Sequence, residues 1–346
     1  MRARCQKTDR VVMAKQMVLP MATVVSLLLA MPAGIPAAGP RLYVVNGQSN
    51  TVSVLDPAAR TIVATVRTGS RPQHVNVDPQ GRFFYVTVLF TNESDDLVQV
   101  FDVTTNAMLT SVVVGHEPAY IVPSPSGTRL YVASKAANTV SVVAVPEFKR
   151  IETIKLKGKG PQGPAITPDG KTLLTPNSRS GDVSVVDLER GSVDLIKLPP
   201  GARPVAIGVN RNGQLAYVTD SGLNQVHKID VAGKVLLASL SVGGRPMQTP
   251  THPTRPFLYI PCMDAAAVYK VDIDAWRVDK VISVGRGPQG IAYTSDGHYA
   301  YVTLTRETPH GKVAVINTET DAVETTLPSQ DAPNGIAVLF GKNQGG

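Results

Sequence analysis

Cysteine is almost absent from this chain: Cys5 and Cys262 are the only two in 346 residues. Cys5 lies in an N-terminal segment read below as removed, which leaves Cys262 without a partner and excludes an internal disulfide. The spacings that announce common chemistries are missing too. No Cys-x-x-Cys-His run occurs, which excludes covalent c-type haem. There is no His-x-x-x-His, His-Glu-x-x-His or paired Cys/His spacing to make a dedicated zinc site, and no Gly-x-Ser-x-Gly nucleophile elbow. Trp276 is the single tryptophan, and no helical periodicity separates the short apolar runs of the main chain. The apolar stretch from Val18 to Ala30 is interrupted by Pro20, followed by Pro32, and falls short of the roughly 20 residues a spanning helix needs.

That stretch has a different use. Arg2, Arg4, Lys7, Arg10 and Lys15 precede it and small residues around Ala37 and Ala38 follow it, the arrangement of a secretory signal peptide over residues 1–38. No cysteine follows the apolar region, so lipid attachment is not expected. Export to the periplasm or beyond the cell follows, with no integral membrane segment left after cleavage. The same segment accounts for much of the formal charge of +7. Its five Lys/Arg against one Asp leave about +3 on residues 39–346. So mild a surplus gives no reason to expect a nucleic-acid partner.

What fills residues 39–346 is a repeat. Tyr43, Tyr85, Tyr131, Tyr217, Tyr259 and Tyr301, with Leu174 in the remaining place, recur at about 42 to 46 residues, the period of a propeller or another stacked array. Each is followed by a polar loop and a valine-rich run such as Asn50 to Asp56, Leu97 to Asp102 or Val268 to Asp272, then by a third run such as Thr61 to Val66 or Lys280 to Val284. Seven prolines keep phase with the tyrosines: Pro72, Pro118, Pro161, Pro204, Pro246, Pro288 and Pro333. Proline fixes φ and lacks a donor, so it suits the first residue of a strand. Turns such as Pro168-Asp169-Gly170 and Asp296-Gly297 close each first hairpin, and His252-Pro253-Thr254-Arg255 is the one that departs. The expectation is an all-β, seven-bladed β-propeller of four-stranded blades in a single domain, residues 39–346. The chain opens on the Tyr43 strand without its preceding partner, and Asn334 to Leu339 has no tyrosine strand after it. N- and C-terminal strands should therefore share one blade and close the ring.

Units such as Tyr43-Val44-Val45-Asn46 through Asp56, and Thr167-Pro168-Asp169-Gly170 through Asp187, resemble the YVTN β-propeller repeats, over essentially all of residues 39–346. The WD40 pattern is not followed, since no Gly-His and Trp-Asp pair recurs. The resemblance implies an exported propeller, distantly similar to surface-layer proteins and to the haem d1-binding domain of nitrite reductases. Its repeat residues are structural, so it implies shape and location more than chemistry.

Chemistry would then be grafted where one unit departs from the others. Two residues after the prolines stand His74, Tyr120, Gly163, Ala206, Gln248, Gly290 and Gly335; one residue before them stand Arg71, Glu117, Gly160, Arg203, Arg245, Gly287 and Ala332. Both positions belong to the mouth of the central channel. Three guanidinium groups around one opening favour a carboxylate or phosphate, and His74 beneath them is placed to act as a base or an axial ligand. Arg71, His74, Glu117, Tyr120, Arg203, Arg245 and Gln248 are the candidate ligand-binding residues. No catalytic set, metal site or cofactor is expected. Two longer loops, Phe90 to Asp96 and Thr305 to Gly311, are read as solvated, and Cys262 as a buried, inert thiol.

The reading is a monomeric binding or scaffold module that takes a small anion or a protein partner at the channel mouth. The alternative is an enzyme using the same mouth, either a haem d1-like or quinone-linked redox protein or a lactonase-like hydrolase.

Overall fold

The computed structural model describes residues 39–89 and 96–340. The signal-peptide reading of residues 1–38, and residues 90–95 of the first long loop, lie outside them. Among the described residues there are seven antiparallel sheets and no helix long and apolar enough to cross a membrane.

The sheets are the blades of a ring. Blade 2 is typical. It runs outward from Pro72–Val77 through Phe83–Val88 and Leu97–Asp102 to Met108–Val113. The two middle strands of most blades are buried on both faces, as in Thr51–Asp56 and Asp182–Asp187, because each sheet is sandwiched between its neighbours. That is why they read as valine runs rather than as alternating patterns. The outermost strands alternate instead, as in Val235–Ser241, because they form the rim. The repeat tyrosines Tyr43, Tyr85, Tyr131, Tyr217, Tyr259 and Tyr301 are all nearly inaccessible and fill the space between blades. The aspartate closing many third strands caps the turn that follows: Asp56 Oδ1 accepts the amides of Ala58 and Ala59, and Asp272 Oδ1 those of Asp274 and Ala275.

Closure is as expected. Pro333–Leu339 pairs antiparallel with Arg41–Asn46, Leu42 opposite Val338, and becomes the inner strand of blade 1. Six sheets carry four strands. Blade 6 carries three, Phe257–Cys262, Ala267–Asp272 and Arg277–Ser283, and its inner place is held by the bridges Pro246 to Cys262 and Thr251 to Leu258. The segment that should be a continuous strand is there, in the register of the other blades but interrupted between those bridges.

The turn from each inner strand lies on one face of the ring. The loops between second and third strands lie on the other, beside the residues that precede the phased prolines. A clamp between consecutive blades sets that second face. The amide of Arg71 donates to Asn50 Oδ1 at 2.8 Å, that of Gly160 to Asn138 Oδ1 at 2.8 Å, and that of Arg245 to Asn224 Oδ1 at 2.9 Å. A carboxylate replaces the asparagine once, where Asp96 Oδ2 receives the Glu117 amide at 2.6 Å, and the Arg203 amide is instead held within its own blade by Asp220 Oδ1 at 2.7 Å.

Candidate functional site

Arg71, Glu117, Arg245 and Ala332 hold left-handed backbone conformations, with φ of 50°, 55°, 56° and 52°, at the position where blades 4 and 7 place Gly160 and Gly287. A side chain there costs about 1–2 kcal/mol relative to glycine. At Arg71, Glu117 and Arg245 the strain persists because the amide is clamped from the preceding blade, and residues kept in such conformations concentrate at functional sites. Arg203, at the same position in blade 5, is not left-handed.

The mouth divides electrostatically. On the side of blades 3 and 4 the charges satisfy one another. Glu117, half-buried, meets Arg179 Nη2 at 3.3 Å, and His116 Nδ1 meets Asp96 Oδ2 at 2.7 Å. On the side of blades 5 and 6, Gly201, Arg203, Ser221, Gly222, Asn224, Arg245 and Asp264 line an open cleft of about 650 Å³. Asp264 is paired with Arg306 at 3.0 Å, and Asn224 is used by the clamp. Arg203 and Arg245 are exposed and form no ion pair among the described residues. Arg71 is exposed and unpaired as well but does not line this cleft. Two of the three expected arginines therefore come together and the third stands apart.

Below the mouth, three residues from different blades meet. The His74 ring lies 4.6 Å from that of Tyr120, tilted by 44°. The Tyr120 hydroxyl hydrogen-bonds the side chain of Gln248 across the channel. Gln248 Oε1 in turn accepts the amide of Ile291 at 2.9 Å, so blades 2, 3, 6 and 7 are tied at one level. This floor is uncharged. Burial drives the His74 pKa down to about 3 and that of Tyr120 up to about 12. His74 Nδ1 is buried without a hydrogen-bond partner. The imidazole fits because blade 1 has Gly335 opposite: a Cβ there would stand 3.1 Å from His74 Cα and 3.1 Å from its Cδ2.

The other residues noted in the sequence have structural roles. Glu307 Oε1 accepts the Arg286 amide at 2.6 Å and His310 meets Asp331 at 2.8 Å, so the second long loop is held by its own pairs. His252 Nδ1 accepts the amides of Thr254 and Arg255 while Nε2 donates to the Gly297 carbonyl at 2.9 Å, which fastens the departing turn to blade 7. Cys262 is fully buried and its thiol is pushed up to about 12 by desolvation, so it is inert. Among the described residues no group of three His, Cys, Asp or Glu could hold a metal ion. Sequence comparison of the proline positions missed Arg179, Ser221, Asn224 and Asp264, all from loops between second and third strands. Reading those loops in phase, as the prolines were read, would have found them.

Fold and mouth together define a seven-bladed β-propeller with one polarised, basic opening. Residues 41–207, just under half of the chain, match the family model described as "Lactonase, 7-bladed beta-propeller". Antigen Lp49 of Leptospira interrogans is 26% identical over 231 residues, covering 60% of this chain and 50% of its own length. The chain spans about half the length of the curated relatives it matches. Among solved structures, hydrazine synthase of Kuenenia stuttgartiensis superposes with a TM-score of 0.70 at 23% identity, over 81% of this chain and 93% of that one. The dihydro-heme d1 dehydrogenase NirN superposes with a TM-score of 0.64 at 13% identity, over 86% of this chain and 74% of that one. At these identities the likeness to both structures is one of fold.

Proposed function

We propose that the protein is an exported binding propeller whose mouth takes a small anionic ligand, or an anionic group of a partner protein, between blades 5 and 6. The observation that carries this reading is the pair Arg203 and Arg245 on one cleft without ionic partners, at a mouth whose opposite side is neutralised by its own pairs. A carboxylate or phosphate group there receives charge-assisted hydrogen bonds from both guanidinium groups. The uncharged floor favours binding over hydrolysis. A lactonase-like or redox use of the mouth would run through His74, and an imidazole with a pKa of about 3 is a poor proton acceptor near neutrality.

Titration calorimetry with inorganic phosphate and with citrate tests the reading. Binding that weakens about tenfold in Arg203→Ala and again in Arg245→Ala, and falls as salt rises, is the expected result. Equal affinity in both variants and the native protein would remove the mouth from consideration.

A further inference from the structure

A second constellation runs through blade 5 from beside the mouth to the outer rim. His227 and Asp220 are both fully buried, with His227 Nε2 3.0 Å from Asp220 Oδ2. His227 Nδ1 lies 2.8 Å from the hydroxyl of Ser239, which is exposed on the outermost strand, Val235–Ser241. Asp220 is ionised. Burial opposes this, but hydrogen bonds from His227 and from the amides of Arg203, Gly222 and Leu223 outweigh it and hold the carboxyl below its usual range. An ionised carboxylate only accepts, so the proton of a neutral His227 sits on Nε2 and Nδ1 presents its lone pair to the Ser239 O–H. Serine, oriented base and buried orienting carboxylate are the parts of a nucleophilic triad, which is recognised by geometry and roles and not by chain order.

The repeat shows that this set is a substitution. At the places of Asp220 and His227, blade 1 has Asn46 and Ser53, linked by a hydrogen bond of 2.9 Å, and blade 4 has Asn177 and Ser184, linked at 2.8 Å. A neutral pair suffices to hold those blades. On the same strand as Ser239, Val235 and Leu237 are 48% and 51% exposed and offer apolar surface on which an apolar group can lie. The strand is the free edge of its sheet, so alternate amides along it are open as donors to a developing oxyanion.

We infer that Ser239 is an activated nucleophile, with His227 as its base and Asp220 as the positioning residue, directed at esters with an apolar acyl group. In the reaction, Ser239 Oγ bonds to the ester carbonyl carbon as its proton passes to His227 Nδ1. The carbon–oxygen bond to the alcohol then breaks, and that proton leaves with the alcohol. Water, deprotonated by the same nitrogen, releases the carboxylic acid and restores the hydroxyl.

The test is labelling by an alkyl fluorophosphonate, which forms a Ser–O–P bond and expels fluoride, followed by peptide mapping of the intact protein. Ser241 is the internal control, exposed on the same strand and face but without a histidine partner. The expected result is that Ser239 labels at least about a hundredfold faster than Ser241, the scale of general-base assistance. The double variant Asp220→Asn with His227→Ser rebuilds the pair of blades 1 and 4, so it retains the fold, and there Ser239 should label no faster than Ser241. Equal rates at the two serines of the native protein overturn the inference. So does undiminished Ser239 labelling in the folded double variant.

Discussion

Arg245 and Arg203 occupy equivalent positions with opposite backbone demands, and this makes a paired substitution decisive. Arg245 is left-handed at φ 56°, held by the 2.9 Å hydrogen bond from its amide to Asn224. Alanine at 245 keeps the conformational cost of about 1–2 kcal/mol that any Cβ imposes there, whereas glycine sheds it and gives back ~0.5–1 kcal/mol in unfolded-chain entropy. Arg245→Gly should therefore be more stable than Arg245→Ala by about 0.5–1 kcal/mol. At Arg203 only the entropy operates, so Arg203→Gly should be less stable than Arg203→Ala by a similar amount. In a chain of this size such differences move the melting temperature by about 1–2 °C in opposite directions at the two sites, within reach of scanning calorimetry. Binding should not follow stability. Alanine and glycine remove the same guanidinium, so both variants at one site should lose the same roughly tenfold in phosphate or citrate affinity. If glycine and alanine rank in the same order at both sites, the clamp does not impose strain at Arg245. If affinity tracks melting temperature, the arginines act through the fold and not on the ligand.

Two further outcomes concern the floor. His74 is neutral in the folded protein down to a pKa of about 3 but titrates near 6.5 once unfolded. Its contribution is fully present above pH 6.5 and is lost at up to about 1.4 kcal/mol per pH unit as the pH falls toward 3. His74→Gly, which installs the residue that blades 1, 4 and 7 carry at this place, should flatten the urea-derived stability profile between pH 6 and 4.5. Parallel profiles for the two proteins would show that the imidazole is not desolvated. Gly335→Ala should destabilise by about 1–3 kcal/mol, because the new methyl meets His74 Cα and the Val75 amide at 3.1 and 3.2 Å, and backbone cannot rotate away. A melting temperature unchanged by that substitution would mean that blades 1 and 2 are less closely apposed along the channel.

The architecture was legible because each unit repeats the same physical solution. Proline opens the inner strand, valine fills strands buried on both faces, and aspartate caps the turn after the third strand, so phase alone counts the blades. The residues at the mouth were legible for the same reason: Arg203, Arg245, His74, Tyr120 and Gln248 are departures from a visible default. Their partners were not. Glu117 and Arg179 are 62 residues apart and meet because successive blades bring their loops side by side. Which arginines share a cleft depends likewise on the neighbouring loops, and Arg71 carries the same residue type at the same phase without joining it. The Asp220–His227 pair lay within reach of the sequence, since its spacing of seven residues is that of Asn46–Ser53 and Asn177–Ser184. It reads as a substitution only once those pairs are seen as hydrogen-bonded.

The interrupted inner segment of blade 6 supplies part of the floor of the mouth. The inner segment of blade 6 gives part of its bonding to its neighbours: Thr251 Oγ1 donates to the Val209 carbonyl of blade 5 at 2.9 Å, Thr219 of blade 5 hydrogen-bonds the Met247 carbonyl, and Gln248 serves Ile291 of blade 7. It presses so closely on blade 5 that a Cβ at Gly208 would lie 2.0 Å from the Thr249 carbonyl oxygen. Blade 6 makes up the loss at its far end, where the Tyr293 hydroxyl accepts the Tyr259 amide at 3.0 Å and Lys270 pairs with Asp321 at 2.8 Å. A segment freed from a continuous ladder can place Gln248 across the channel toward Tyr120. Blades 1, 4, 5 and 7 have glycine or alanine at that place. The interrupted inner strand, Gln248 of the floor and the unpaired Arg245 thus occur in one blade, where local regularity is given up and the surrounding packing compensates.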